Sequence, residues 1–177
     1  MVVANFEKVS RERFIEDMKN AFPDIREADR IYEEIRMPRR ATVGSAGYDF
    51  FTTVPIHLLP QQTILIPTGI RALIDPGYVL LLFPRSSLGF KYRFQLDNSV
   101  GVIDSDYSHA ENEGHIFLRM TNDSLNGKTL DIKRNEAVAQ GIFLPFGITG
   151  DDDADGIRRG GFGSTDRKGN CSVTPFL

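Results

Sequence analysis

The sequence predicts an all-β subunit, a distorted jelly roll or β-barrel, with a helical extension at its N-terminus. Three observations support this fold class. From residue 41 onward, short apolar runs alternate with turn signals such as DPG and NG, as in sandwiches, jelly rolls and barrels. In residues 115–122 (HIFLRMTN), the apolar Ile116, Leu118 and Met120 alternate with Phe117, Arg119 and Thr121, which is typical of a half-buried strand. The N-terminal residues instead repeat apolar side chains at helical spacing.

Residues 1–40 form the predicted N-terminal helical extension. Phe14, Met18 and Phe22 recur at helical spacing, which predicts an amphipathic helix over residues 10–22. A second helical face is predicted in residues 27–37, although this segment is less regular. Neither segment contains a residue pattern that points to chemistry.

Two further parts complete the predicted organisation. Residues 41–147 contain the strand-like runs TILIPTGIRALI, YVLLLFP, FQLDNSVGVI and AVAQGIFLPF, and they form the predicted β core. Residues 148–177 are polar and glycine-rich, so they cannot build a core alone and are predicted to form a flexible C-terminal arm. The acidic run DDDAD within the arm is typical of a solvated linker.

The composition predicts a cytoplasmic protein that neither crosses a membrane nor binds nucleic acid directly. The 177 residues fit one domain, contain no apolar run long enough to span a membrane, and begin without a signal-peptide pattern. A single cysteine, Cys171, excludes an internal disulfide and a zinc–thiolate cluster. The formal net charge of −3 argues against a basic nucleic-acid footprint, whereas a few local arginines still suit a small anionic ligand.

The segment PRSSLGFKY is a candidate phosphate-binding site. Arg85, Ser86 and Ser87 follow a predicted strand, where the chain leaves the core. Arginine offers a planar fork of donors, and the serines add hydroxyl and backbone N–H groups. A serine-rich turn without a ligand explains the same residues equally well.

The segment GVIDSDYSHAENEGHI holds the candidate acid–base group. Asp104 and Asp106 follow an apolar strand two residues apart, so in an extended chain they point the same way and Tyr107 points the opposite way. One carboxylate can act as a general base on water, and Tyr107 can pack on a sugar ring. Acids in an exposed turn are the commoner explanation of such a pattern.

Two further polar residues are candidates with a structural alternative. Gln140 interrupts an apolar strand face, so its amide needs either backbone partners or a ligand. Asp49 begins a predicted strand after two glycines, where an acid more often caps the backbone than binds a metal.

The order of these segments is more specific than any one of them. The chain contains, in sequence, SAGYDF, PRSSLG, NSVGVIDSDY, AVAQ and GGFGSTD. This series resembles the five ordered motifs of the trimeric dUTPases, and the third and fifth motifs are nearly literal. The resemblance spans residues 41–166 and leaves the N-terminal extension outside the motif set.

The resemblance implies a β jelly-roll subunit that assembles as a homotrimer. It implies three active sites at the subunit junctions, each built from all three chains. The implied reaction is hydrolysis of dUTP to dUMP and pyrophosphate by attack of water on the α-phosphorus, with Mg²⁺ bound by the phosphate chain. The expected partners are therefore dUTP and further copies of the chain.

The resemblance also implies roles for the residues of the first four motifs. Asp104 matches the carboxylate that activates the attacking water, and Tyr107 matches the aromatic residue that packs under the deoxyribose and leaves no room for a 2′-hydroxyl. Asp49 is implied to order the metal's water shell without ligating the metal directly. The implied binding residues are Asn98, Gly101 and Ile103 for uracil, and Arg85, Ser86, Ser87 and Gln140 for the phosphates.

The fifth motif is implied to close over the nucleotide of a neighbouring subunit. Phe162 matches the residue that stacks on uracil, and the glycines around it, including Gly163, let backbone N–H groups approach phosphate. Ser164 and Thr165 match further donors to the phosphates.

The chain departs from the family pattern at two places. After Tyr107, the usual short x-G-x-I turn is replaced by SHAENEGHI, so Gly114 and Ile116 are displaced by about five residues. The usual arginine position of the fifth motif holds Ile157, which leaves Arg158 or Arg159 to bind the γ-phosphate.

Two alternatives remain beside dUTP hydrolysis. The same fold serves dCTP deaminases, some of them bifunctional, and fold alone does not separate the two activities. A regulatory protein partner is a second alternative, with the segment after Tyr107 and the acidic linker as candidate contact surfaces.

Overall fold

A computed structural model describes residues 1–156 together with Arg158 and Gly160. The described residues form twelve β-strands, three α-helices and one 3-10 helix. All strand pairs are antiparallel, and the strands form four hydrogen-bonded groups rather than one continuous sheet. The predicted all-β fold class is confirmed.

The elements follow one another with short connections. The strands are β1 (Ala4–Lys8), β2 (Arg39–Arg40), β3 (Tyr48–Phe51), β4 (Ile56–Leu58), β5 (Thr63–Pro67), β6 (Ile70–Ile74), β7 (Tyr78–Pro84), β8 (Phe94–Leu96), β9 (Gly101–Ile103), β10 (Phe117–Asn122), β11 (Leu130–Ile132) and β12 (Ala137–Pro145). The helices are α1 (Arg11–Ala21), α2 (Ala28–Glu33) and α3 (Ser86–Tyr92), with a 3-10 helix over Ser105–His109.

The largest group is a five-stranded sheet of order β2-β3-β12-β7-β9. Strands β5, β10 and β8 form a three-stranded group, and β1–β6 and β11–β4 form two pairs. The groups enclose one apolar core, because the inward side chains of each strand are buried against the other groups. On β10, Leu118 and Met120 are fully buried while Arg119 is exposed, as the alternating pattern predicts.

The N-terminal segment combines helix and strand. Helix α1 forms where its spacing predicts it, with Phe14 and Met18 fully buried and the Ser10 hydroxyl accepting a hydrogen bond from the Arg13 N–H as an N-cap. Helix α2 is shorter than the predicted segment. Strand β1 was not predicted, and it pairs along its whole length with β6. The segment is thus joined to the β core through backbone hydrogen bonds.

Gly69 marks the closest approach of the N-terminal segment to the core. Its φ is +72°, and a Cβ at this position would lie 2.3 Å from Cδ1 of Ile35 and 3.1 Å from the Phe14 ring. Its carbonyl accepts a hydrogen bond from the Val9 N–H at 3.0 Å. Only glycine combines this backbone conformation with so little space.

Candidate active site

The third motif lies where the chain leaves β9. Strand β9 pairs with the middle of β7, and Asp104 follows directly beyond the Leu80–Ile103 pair. The Asp104 and Asp106 side chains are each about half exposed, and both accept a hydrogen bond from Arg158. The Arg158 Nε donates to Asp106 Oδ1 at 2.8 Å, and its Nη2 donates to Asp104 Oδ2. The guanidinium carbon also lies 5.7 Å from the centroid of the Tyr107 ring.

The expected extended conformation after β9 is wrong. Residues 105–109 form a 3-10 helix, so the alternation of an extended chain does not set the directions of these side chains. The two acids nevertheless converge, because one guanidinium bridges them. A fork of donors between two carboxylates is a favourable arrangement for both charges.

Tyr107 is held in place by its hydroxyl group. The residue is 4% exposed, and its hydroxyl donates to the His115 carbonyl at 2.9 Å and accepts from Asn112 Nδ2 at 2.9 Å. Burial raises the pKa of the phenol, against the lowering effects of the Asn112 hydrogen bond and the Arg158 charge. The phenol therefore stays neutral, and its ring has a fixed position beside the two acids.

An apolar cavity of about 490 Å³ opens beside this motif. Asn98, Gly101 and Ile103, which the family resemblance assigns to uracil, all line it. A Cβ at Gly101 would lie 3.1 Å from Cβ of Leu82, so the glycine keeps the hairpin backbone close to β7. Asn112, from the segment after Tyr107, also lines the cavity, and the sequence did not single it out.

The residues expected to bind phosphate lie at the other end of β7. Arg85 is the residue before α3, and its Nε lies 3.4 Å from Asp49 Oδ1. Gln140 pairs in register with Asp49 on β3 and with Phe83 on β7. Its amide lies against Gly47, where a Cβ would be 2.6 Å from Oε1 of Gln140. Asp49, Arg85 and Gln140 thus meet at one end of the sheet.

A polar cavity of about 760 Å³ lies in front of this group. Ser86 and Ser87 are exposed at the start of α3, and Ser87 lines the cavity. Three arginines from the N-terminal segment also line it, namely Arg36, Arg39 and Arg40. Adjacent arginines just before the first motif were a sequence signal for this cavity that the motif pattern did not use.

The two groups are far apart within one chain. Asp104 lies beyond the Leu80–Ile103 pair, next to Val79, whereas Arg85 follows the opposite end of β7. The six residue steps from Val79 to Arg85 span about 20 Å at the rise of a β-strand. The chain therefore brings together Asp104, Tyr107 and Arg158 at one end, and Asp49, Arg85 and Gln140 at the other.

Part of the expected site lies outside the described residues. These residues are Arg159, Phe162, Gly163, Ser164 and Thr165. Of the two arginines that the sequence left as candidates, Arg158 is described and contacts Asp104 and Asp106.

Comparison with known proteins decides the family. A family model described as dUTPase matches residues 33–171, which is most of the chain. The chain belongs to the dUTPase family. Deoxyuridine 5′-triphosphate nucleotidohydrolase of Lactococcus lactis is 42% identical over 134 residues, covering 74% of this chain and 88% of the relative. The protein of the same name from Hahella chejuensis is 40% identical over 147 residues, covering 78% of this chain and 92% of the relative.

Solved dUTPase structures share the fold of this dUTPase-family chain. The Streptococcus mutans dUTPase is 34% identical and superposes with a TM-score of 0.61, covering 82% of this chain and 98% of that one. A dUTPase from phage phi11 of S. aureus is 21% identical with a TM-score of 0.60, covering 88% and 98%, and it coordinates a structural Mg(II) ion. The second likeness bears on the fold alone.

In the described part of this dUTPase-family chain, no group of three or more His, Cys, Asp and Glu residues is arranged to hold a metal ion. No described helix is both long enough and apolar enough to cross a membrane.

The segment after Tyr107 does not lengthen the hairpin between β8 and β9. It forms the 3-10 helix and a compact turn between β9 and β10. Two of its side chains, Glu113 and His115, are engaged by Ser10 and Asp17 of the N-terminal segment. His115 is fully buried and Glu113 is partly buried, so both side chains are occupied by contacts within the chain.

Proposed function

We propose that this enzyme hydrolyses dUTP to dUMP and pyrophosphate in sites shared between the subunits of a homotrimer. The membership of the dUTPase family supports the reaction, and the separation along β7 supports the shared site. Groups that act on one triphosphate must converge on it, but Asp104 and Arg85 lie about 20 Å apart within a chain. A second copy supplies the missing half of each site.

In this proposal Asp104 is the general base at the α-phosphorus. Its carboxylate is half exposed, so a water molecule can reach it from the cavity. Asp104 accepts a proton from the water as the water oxygen bonds to the α-phosphorus, and the bond from that phosphorus to the bridging oxygen breaks, releasing pyrophosphate. Arg158, which neutralises Asp104 and Asp106 in the free chain, exchanges these carboxylates for phosphate oxygens of the substrate.

The apolar cavity is the proposed nucleoside site. The backbone of the hairpin around Gly101 faces uracil, with Asn98 and Ile103 beside it. The family resemblance assigns Tyr107, which follows Ile103 but does not line the cavity, to the place under the deoxyribose. The fixed ring of Tyr107 limits the room at the 2′ carbon, which favours deoxyribose over ribose. In the arm, Phe162, Gly163, Ser164 and Thr165 keep the roles that the family resemblance implies, which makes them proposed contacts of uracil and the phosphates.

The opposite end of β7 is the proposed phosphate site. Arg85, Ser86, Ser87 and Gln140 are the proposed phosphate ligands, and Arg36, Arg39 and Arg40 add positive charge around the same cavity. Mg²⁺ bound to the triphosphate supplies further charge neutralisation. Carboxylate oxygens and water are ligands that Mg²⁺ prefers, so Asp49, held beside Arg85, is suited to accept hydrogen bonds from metal-bound water.

A nucleotide panel tests the reaction. The purified protein is incubated with Mg²⁺ and dUTP, dCTP, dTTP or UTP, and pyrophosphate and ammonia are measured. We expect pyrophosphate from dUTP alone and no ammonia from dCTP. Release of ammonia from dCTP, or pyrophosphate from another nucleotide but not from dUTP, would overturn the proposal in favour of a deaminase or a different pyrophosphatase.

Complementation between two impaired variants tests the shared site. Asp104→Asn and Arg85→Met are purified separately, mixed in equal amounts, unfolded and refolded together. If the two residues of one site come from different subunits, about one quarter of the sites in random mixed trimers contain both native residues, and activity returns. If both residues act within one chain, every site carries a defect and the activity of the mixture does not rise above the mean of the two separate variants.

A further inference from the structure

The segment that follows Tyr107, residues 108–115, is called the insertion loop below. At Gly114, whose φ is +72°, the loop folds back and contacts its first residue, Ser108. A Cβ on Gly114 would lie 2.6 Å from Cα of Ser108 and 2.8 Å from the Tyr107 carbonyl oxygen. The Gly114 N–H also donates to Oδ1 of Asn112 at 3.2 Å. The loop is therefore compact, and its conformation depends on its own internal contacts.

The inner side of the insertion loop holds the Tyr107 hydroxyl. That hydroxyl donates to the His115 carbonyl and accepts from Asn112 Nδ2, both at 2.9 Å. Both available roles of the phenol, as donor and as acceptor, are therefore filled by loop residues. Any shift of the loop must move the far end of the Tyr107 ring.

The outer side of the insertion loop is held by helix α1. His115 is fully buried, and its Nε2 accepts from the Gly69 N–H at 2.8 Å. Its other ring nitrogen, Nδ1, therefore carries the hydrogen and donates to Asp17 Oδ2 at 2.7 Å. About two turns of helix earlier, Glu113 accepts from the backbone N–H and the hydroxyl of Ser10 at 2.7 and 2.6 Å. These two contacts are called the α1–loop contact.

The pKa shifts of His115 and Glu113 agree with the hydrogen bonds of the α1–loop contact. Burial lowers the pKa of His115, against the raising effects of Asp17, so the ring is neutral near pH 7. Burial alone would raise the pKa of Glu113, but the hydrogen bonds from Ser10, with Arg71 and Arg13 nearby, lower it. The neutral imidazole thus donates to Asp17 and accepts from the Gly69 N–H, and the Glu113 carboxylate accepts from Ser10.

We propose that helix α1, acting through the insertion loop, is the positioning element that fixes Tyr107 and thereby sets the preference for deoxyribose over ribose. This inference rests on the proposed function, because it takes Tyr107 as the residue under the sugar. Asn112 and Asp17 are its positioning residues: Asn112 contacts the phenol, and Asp17 orients His115, whose carbonyl contacts the phenol.

The first test removes the inner contact. Asn112→Ala is expected to lower the ratio of kcat/KM for dUTP to kcat/KM for UTP about tenfold, the size expected when a buried group loses one hydrogen-bond partner. Tyr107→Phe removes the hydroxyl itself. If Asn112 acts through that hydroxyl, Asn112→Ala changes the ratio little in the Tyr107→Phe background, which a double-mutant cycle measures.

The second test removes the outer contact and restores it. Asp17→Ala leaves the buried Nδ1–H of His115 without an acceptor, and the ratio is expected to fall about tenfold. Asp17→Asn keeps an oxygen acceptor at the same place, so the ratio is expected to return to within about twofold of the wild type. Ser10→Ala removes the hydroxyl hydrogen bond to Glu113 together with the N-cap of α1 and leaves His115 paired, so it serves as a second variant if Asp17→Ala does not fold.

Several outcomes overturn the inference while the proposed function stands. The wild type hydrolyses dUTP, yet the variants keep the native ratio, or Asp17→Ala slows dUTP and UTP equally, or the effects of Asn112→Ala and Tyr107→Phe simply add. A wild type that does not hydrolyse dUTP overturns the proposed function and this inference together. Circular dichroism and size-exclusion chromatography establish that each variant tested is folded and has the native assembly.

Discussion

The polar groups at the two ends of strand β7 differ in how many of their partners come from the same chain. At the Asp104 end, Tyr107 and His115 are 4% and 0% exposed, and their polar atoms are paired within the chain. At the Arg85 end, Ser86 and Ser87 are exposed, and the wall of the cavity is rich in arginine. Under the proposed function, one chain by itself positions the groups for the nucleoside, whereas the exposed serines at the Arg85 end are left for the triphosphate and a second subunit to contact.

The largest effect is expected from Asp104→Asn. Loss of a general base costs about a thousandfold in kcat. Because the side chain is half exposed and its loss opens no cavity, the melting temperature should change little. Steady-state kinetics and a thermal melt measure both quantities. If the variant retained activity, Asp104 would not be the general base, and the reaction would not be assigned to this end of β7.

Gly69→Ala tests how much the close packing of the N-terminal segment on the β core contributes to stability. The positive φ and the 2.3 Å approach to Ile35 should cost about 3 kcal/mol in the free energy of unfolding. Gly77→Ala is the matched control, since Gly77 also has a positive φ (+86°) but no atom lies within 4 Å of its Cβ position. Urea denaturation compares the two variants. Equal losses would mean that backbone strain alone, and not the packing of Ile35 and Phe14, is responsible.

Arg85→Met tests the open end. Removing a charged donor to phosphate should lower kcat/KM for dUTP about thirtyfold, near 2 kcal/mol. Arg85 is partly exposed, so the free energy of unfolding should be almost unchanged, unlike that of Gly69→Ala. Kinetics at two ionic strengths provide the check, because the wild type should lose more affinity in high salt than the variant does. An unchanged kcat/KM would exclude Arg85 from the phosphate site.

The smallest effect is expected from mild acid. Burial lowers the pKa of His115 from its ordinary 6.5, with Asp17 and Glu113 opposing and Arg13 assisting. The unfolded chain then binds a proton that the folded chain does not, so this contribution to stability is complete above about pH 6.5 and declines as the pH falls below it. The melting temperature should drop by about 2–4 °C for each kcal/mol lost.

The control for this pH dependence is His115→Gln. Glutamine offers a donor and an acceptor but does not titrate, so the change in melting temperature between pH 7 and pH 5.5 should become smaller. Glu113 has a pKa lowered from 4.5, so it affects the stability only at pH values below the 5.5–7 range of this experiment. An identical pH profile in the variant would assign the acid sensitivity to other groups.

The sequence predicted the residues of both ends but not their arrangement. Asp104, Tyr107 and Arg85 lie in local motifs, and the alternation in HIFLRMTN predicted β10, because such patterns depend only on neighbouring residues. The predicted extended conformation of residues 105–109 was wrong, because tertiary contacts of the following loop override the extended preference after a strand.

The contacts of the N-terminal segment were beyond local patterns. Ser10 and Glu113 are 103 residues apart in sequence, and Asp17 and His115 are 98 apart, so no local spacing predicts either pair. Strand β1 was missed for the same reason. It is short and contains few apolar residues, and it forms by pairing with the distant strand β6. Asn112 was missed because its role depends on the folding of the insertion loop.

Helix α1 also defines how small this enzyme can be made. The family motifs span residues 41–166, yet Phe14 and Ile35 pack against Gly69, and Asp17 accepts a hydrogen bond from the buried Nδ1–H of His115. Cutting the chain at the start of the motif span would expose an apolar face and leave a donor unpaired in the interior. The smallest autonomous unit is therefore larger than the motif span.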